Sequence, residues 1–154
     1  MLNILAASLP EDVCIYVKNH PEQLAPMRSR EYYSDMHRID KVKFIKMECS
    51  TYDLIKNAFA VASLTGTACW EAQFYGVPAL LFGYSQKNLA PLSYCVRTLD
   101  ECKGAVDEIR LNTGKDVRKE LKILTKAMHN ISFSVDEIEE VLPVVISDFV
   151  RENS

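Results

Sequence analysis

The sequence predicts an α/β fold: a Rossmann-like open parallel sheet with helices on both faces, as a single domain over residues 1–154, with the carboxyl-terminal helices packed on one side. Three observations predict it. Short apolar runs rich in β-branched residues recur between stretches of helical period, the pattern of parallel strands joined by crossover helices. Connections between them are short, as right-handed crossovers allow. The chain is long enough to bury a core without disulfide or metal staples.

The elements run in order. Residues 1–9 are apolar, without a basic leader and too short to span a bilayer, and read as the end of a helix that followed something else. Residues 13–17 form the first strand. Pro21 biases His20 to extended geometry, and Pro26 interrupts the segment after it, so the next helix runs from about Ser29 to His37. Residues 42–45 make a second strand. Ser50-Thr51-Tyr52-Asp53 has the form of a capping box, opening a helix with Tyr52, Leu54, Ile55 and Ala58 inward. Residues 60–64 make the third strand. Thr67 caps a helix over 68–75, with Gly76 as its C′ residue. Residues 78–82 are the fourth strand, ending at Gly83. The polar stretch 85–93, with Pro91, reads as a surface loop, and 94–97 as a short fifth strand. Thr98-Leu99-Asp100-Glu101 is a second capping box, and its helix aligns Cys102, Ala105, Val106 and Ile109. Beyond Gly114, Val117, Leu121, Leu124 and Met128 fall in line. A last helix over 134–149 carries Pro143, which should kink it.

Bulk composition excludes several classes. A net charge of −3 argues against a nucleic-acid partner, and no run reaches the length of a membrane span. The five cysteines are odd in number and show no Cys-x-x-Cys spacing, so all are expected as reduced thiols, mostly small core residues, in a cytoplasmic protein without a bound metal. There is no Walker loop, nucleophile elbow or Gly-x-Gly-x-x-Gly.

Candidate chemistry concentrates at two strand ends, where open parallel sheets bind ligands. After the third strand, Thr65-Gly66-Thr67 offers two hydroxyls, a glycine that lets a ligand approach, and the N–H groups of a following helix, a setting for phosphate. The same tripeptide also serves as a plain strand–turn–helix joint. After the first strand, His20 can donate to a phosphate oxygen, or be satisfied by a backbone carbonyl. Lys18 stands on the same strand end as a solvated lysine or a phosphate ligand. Glu71, one helical turn after Thr67, can accept ribose hydroxyls or simply favour the helix start. Trp70 packs under the site or stacks on a base, and Arg28 and Arg30 are near enough in sequence to reach it. His37 and His129 receive no role.

Taken together, Val17-Lys18-Asn19-His20-Pro21, Tyr52-Asp53-Leu54-Ile55, Leu64-Thr65-Gly66-Thr67-Ala68-Cys69-Trp70-Glu71-Ala72 and Tyr75-Gly76-Val77-Pro78-Ala79-Leu80-Leu81-Phe82-Gly83 resemble the capsular polysaccharide biosynthesis proteins. More broadly they resemble the carboxyl-terminal half of GT-B-type glycosyltransferases. The resemblance spans residues 13–83 and, more weakly, the helices after them. It implies a transferase of capsule or surface-polysaccharide synthesis whose partner is a nucleotide-sugar donor, often a CMP-sugar, with no separate cofactor. It places the phosphate on His20, Thr65 and Thr67, and the ribose on Glu71. The catalytic base in such enzymes comes from an amino-terminal Rossmann-like domain, so the resemblance leaves the catalytic residues of this chain unassigned and the chain inactive without that domain or a partner chain. It implies a cytoplasmic protein, peripheral to the inner membrane through a synthesis complex. Asn19 departs from the proline or acidic residue more usual there. Alternatives are half of a sugar-nucleotide 2-epimerase-like enzyme or a polyol-phosphate transferase, and a non-catalytic nucleotide- or protein-binding module. Thr67 and the order Trp70-Glu71-Ala72 count against the epimerase.

Overall fold

Among the described residues of the computed structural model, five three-residue strands, all paired in parallel, carry the architecture. The structure describes residues 1–19, 28–111, 116–130 and 132, apart from the side chains of Gln86 and Lys87. The chain divides into two compact units, Met1–Arg118 and Lys119–Ser154.

In the first unit, helix α1 (Leu2–Ser8) precedes β1 (Ile15–Val17). Helix α2 (Arg30–His37) comes next, its N-cap Ser29 accepting from the Tyr32 N–H at 3.2 Å. Then come β2 (Val42–Phe44) and α3 (Thr51–Lys56), where the Ser50 hydroxyl accepts from the Asp53 N–H at 3.3 Å. Next are β3 (Val61–Ser63), α4 (Ala68–Phe74) and β4 (Ala79–Leu81). A 3₁₀ turn (Gln86–Leu89), β5 (Ser93–Cys95) and α5 (Leu99–Leu111) complete the unit. The parallel α/β pattern expected from the sequence is present, but its hydrogen bonds form two small sheets, β1-β2 and β3-β4-β5.

One apolar cluster spans both sheets, holding Ile15 of β1, Val42 of β2, Leu80 of β4, Leu5 of α1, and Cys102, Val106 and Ile109 of α5. On the other face of β4, Ala79 and Leu81 pack with Cys69 of α4. Helices therefore cover both faces of the three-stranded sheet, and β4 reads as a continuous apolar run because neither of its faces meets water. α4 ends in a Schellman motif: Val77 N–H donates to Ala72 C=O at 3.0 Å and Gly76 N–H to Gln73 C=O at 3.1 Å. Gly76 has φ +69°, a conformation that favours glycine. At the start of α5 the Glu101 carboxylate accepts from the N–H groups of Arg97 and Thr98, while Thr98 Oγ1 accepts from the Glu101 N–H at 3.2 Å, the reciprocal box anticipated there.

Several expectations need correction. Tyr52 does not face inward: it is 55% exposed and leans on the Tyr75 ring at the rim, leaving Ile55 as the buried residue of α3. The stretch 85–93 is not simply a surface loop, since Ala90 and Leu92 are buried and β5 already begins at Ser93. Of the cysteines, only Cys69 and Cys102 are core residues; Cys14 lies before β1 begins and is exposed, as are Cys49 and Cys95.

Buried Gln73 ties α4 to the segment entering β5. Its Oε1 accepts from the Leu92 N–H at 3.0 Å and its Nε2 donates to Ser93 Oγ at 3.4 Å. Tyr94 of β5 has its phenol pKa raised above the ordinary 10.0, first by burial and then by the charge and hydrogen bond of Glu108.

The second unit is described over 119–130 and 132. It holds nearly all of α6 (Arg118–Asn130), whose Leu121 is buried and whose Leu124 and Met128 are half-buried on the expected stripe. Thr125 Oγ1 donates back to Leu121 C=O at 2.8 Å. Gly114 and the helix expected over 134–149 lie outside the described residues.

Two outcomes are expected from these contacts. Gln73→Leu leaves the Leu92 N–H without its acceptor and should cost about 1–3 kcal/mol, seen as a lower urea midpoint at unchanged m-value. Raising the pH above 10.0 ionises Tyr94 in the unfolded chain before the folded one, so its contribution, full below that value, is lost as pH rises through the folded pKa. The urea midpoint of Tyr94→Phe should therefore fall less steeply than that of the parent chain between about pH 9 and 11.

Candidate functional site

Parallel strands place all their carboxyl ends at one edge of a sheet, and Lys18-Asn19 follows β1 while Thr65-Gly66-Thr67 follows β3 at such ends. At the end of β1, Lys18 Nζ donates to Thr51 Oγ1 at 2.9 Å. Thr51 is the first residue of α3, so the lysine braces a strand end against a helix start rather than standing solvated. Next to it, Asn19 Nδ2 donates to the Tyr33 hydroxyl at 3.4 Å. His20, the other residue assigned to this strand end, lies outside the described residues, as does Pro21.

At the end of β3 the turn Thr65-Gly66-Thr67 is organised by a residue that sequence reasoning missed. Ser63 Oγ accepts from the Gly66 N–H at 2.9 Å. A Cβ on residue 66 would stand 2.6 Å from that oxygen, so a side chain there would have to displace the Ser63 hydroxyl from its bond. The Ser-x-x-Gly spacing is a local hydroxyl-turn signal, and it could have shown that this N–H is already committed. What the turn presents outward are side chains. Thr65 and Thr67 are both exposed, and Thr67, although it is the N-cap of α4, makes no side-chain cap hydrogen bond. Glu71 is half-buried in the first turn of α4, and its N–H donates to Thr67 C=O at 2.9 Å. Trp70 is half-buried and meets Phe74 edge-on, with ring centroids 5.7 Å apart.

The end of β4 is joined to this turn. Gly83 N–H donates to Leu64 C=O at 3.0 Å, and a Cβ on residue 83 would lie 2.8 Å from that oxygen and 3.1 Å from Thr65 Cγ2. Immediately beyond, a cleft of about 570 Å³ opens between the segment after β4 and the end of β5, lined by Tyr84, Asn88, Leu89, Cys95, Arg97 and others. Nothing in the sequence patterning signals it, because its side chains converge from two segments with no motif of their own. Asn88 frames it: Oδ1 accepts from the Ser85 N–H at 3.1 Å, and Nδ2 donates to Cys95 Sγ at 3.0 Å.

Arg28 is engaged by an aromatic ring, its guanidinium lying over Tyr32 at 4.3 Å, and Arg30 is exposed at the start of α2. His37 meets Phe44 at a tilt, with ring centroids 4.9 Å apart. No cluster of metal-ligating side chains occurs among the described residues. No described helix is long and apolar enough to cross a membrane.

No protein-family model matches this chain, and no curated protein or solved structure matches it either.

The two caps give a measurable contrast. Thr98→Ala removes an existing cap bond and should destabilise by about 1 kcal/mol, whereas Thr67→Ala removes none and should change stability by less than about 0.5 kcal/mol. Thermal or urea unfolding of the two variants checks this, and equal losses would mean that Thr67 is a structural cap after all.

Proposed function

We propose that this chain binds the phosphate of a nucleotide at the carboxyl edge of its parallel strands, as the donor-binding part of a glycosyltransferase of capsule or surface-polysaccharide synthesis. The observation that carries the reading is Thr67: an exposed hydroxyl at a strand–turn–helix junction, beside Thr65, that contributes no side-chain cap to its own helix. His20 is the second phosphate donor in this reading, assigned by sequence alone. Glu71, in the first turn of α4, takes the ribose. The donor is a nucleotide sugar, and the resemblance of the motifs favours a CMP-sugar.

The chemistry required of such a chain is electrostatic. As the sugar moves to an acceptor hydroxyl, negative charge grows on the departing phosphate, and fixed donors at that position stabilise the transition state more than the ground state. The general base and the acceptor site belong to a second domain or partner chain in this proposal. Five cysteines, none of them in a disulfide, suit a reducing compartment and hence the cytoplasm.

Titration with CMP, UDP, AMP and inorganic phosphate, followed by calorimetry and by thermal shift, tests the reading. CMP should raise the melting temperature, with stabilisation approaching about 2.7 kcal/mol at a hundredfold excess over Kd. His20→Ala and Thr67→Val should each weaken CMP about tenfold or more, since each removes a hydrogen bond to a charged group. An unchanged CMP affinity in both variants would remove the phosphate assignment, and no response to any nucleotide would remove the function.

A further inference from the structure

We propose that the cleft between the ends of β4 and β5 is a nucleobase subsite, in which the base stacks on Tyr84 and its edge accepts hydrogen bonds from Arg97. The inference rests on the nucleotide reading above and adds to it where the ring of that nucleotide goes.

Three observations converge on this cleft. Its volume of about 570 Å³ lies in the range of small-molecule sites, about 300–1,000 Å³. A flat aromatic ring stands at its rim: Tyr84, 81% exposed, is the most exposed of the large aromatic side chains among the described residues. The Arg97 guanidinium lies over one face of that ring, 5.0 Å from its centroid, the rest of the ring being open to solvent, and among the described residues it has no carboxylate partner. A ring with one face under a long, donor-rich cation and the other open to solvent can stack a planar heterocycle on the open face while the arginine reaches round to acceptor atoms on its edge. Aliphatic contact comes from Leu89, 73% exposed and also lining the cleft.

The neighbouring groups leave those two side chains as the recognition elements. The Asn88 amide is committed to the loop itself, through the Ser85 N–H, Gly83 C=O and Cys95 Sγ. One oxygen of Glu101 is committed to the N–H groups of Arg97 and Thr98. The loop is thus anchored from within while Tyr84 stays outside. The position also fits, because the Gly83–Leu64 hydrogen bond sets Tyr84 one residue from the backbone that carries Thr65. A base in the cleft and a phosphate at the Thr65-Gly66-Thr67 turn would lie on adjoining strand ends.

The experiment separates the base from the phosphate. Tyr84→Ala, Tyr84→Phe, Arg97→Gln and Thr67→Val are titrated with CMP, UDP, AMP, the corresponding nucleosides and inorganic phosphate, by calorimetry for tight ligands and by amide chemical-shift changes for weak ones. Tyr84→Ala should weaken the preferred nucleotide about tenfold, the loss typical of a base–aromatic stack, while Tyr84→Phe retains the affinity. Arg97→Gln should weaken it and alter the preference among the bases. Inorganic phosphate should bind Tyr84→Ala as it binds the parent chain, and the nucleoside should shift the amides around Tyr84 and Arg97. Nucleotide affinity that falls in Thr67→Val but is unchanged in Tyr84→Ala would overturn the subsite and leave the phosphate reading standing. Nucleoside shifts around Tyr84 without any phosphate effect of Thr67→Val would do the reverse. No binding of nucleotide or nucleoside would overturn both. Tyr84 and Arg97 are exposed and outside every core cluster of the described residues, so these variants should retain the parent unfolding midpoint.

Discussion

β4 is the constraint on which the rest depends. Among the described residues it is the strand with a hydrogen-bonded neighbour on each side, β3 and β5. Its three residues are almost wholly removed from water, at 0%, 2% and 1% exposure. Leu80 points into the cluster shared with α1 and α5, while Ala79 and Leu81 point to α4. The parallel pairing of β4 with both neighbours sends the segments after β3, β4 and β5 out at the same edge of this sheet. The hydroxyl turn and the cleft are neighbours because of that packing.

Much of this was legible in the sequence, and the reasons are local. Ser50 and Thr98 cap helices where their spacing says they should, because the geometry of an N-cap involves only three or four residues. Gly76 marks the end of α4 for an equally local reason. The apolar stripe of α5 is regular over four positions, and all four are buried. What failed were judgements of polarity without period. The stretch 85–93 looks polar because Ser85, Gln86, Lys87 and Asn88 dominate it, yet Ala90 and Leu92 turn inward and Gln73 supplies the bond that lets the Leu92 N–H be buried. That bond joins residues 19 apart, and no window reveals it. Tyr52 fails differently: a hydroxyl-bearing ring in the first turn of a six-residue helix can lie along the rim, and here Tyr75 meets it there.

The candidate site divides along the same line. Thr65, Gly66 and Thr67 could be found as a tripeptide, and their placement after β3 follows from strand order. The role of glycine there could not, since it depends on which neighbour occupies the space: Ser63, three residues back, rather than an incoming ligand. Lys18 illustrates the opposite error. Its partner Thr51 is 33 residues distant, so sequence leaves it a solvated cation while the fold gives it an acceptor. Tyr84 and Arg97 are silent in the sequence because each stands alone, and only the packing of β4 beside β5 brings them face to face.

Gly83 has a consequence for how this edge would meet a small molecule. With its N–H on Leu64 and no room for a side chain, the main chain of two adjoining strands is locked before any encounter. Only side-chain rotors remain to be stilled, at about 0.5–1.5 kcal/mol for each rotamer-rich one. Threonine and tyrosine have few such rotors and arginine has many, so the entropic toll of capture would fall mainly on a single long arm.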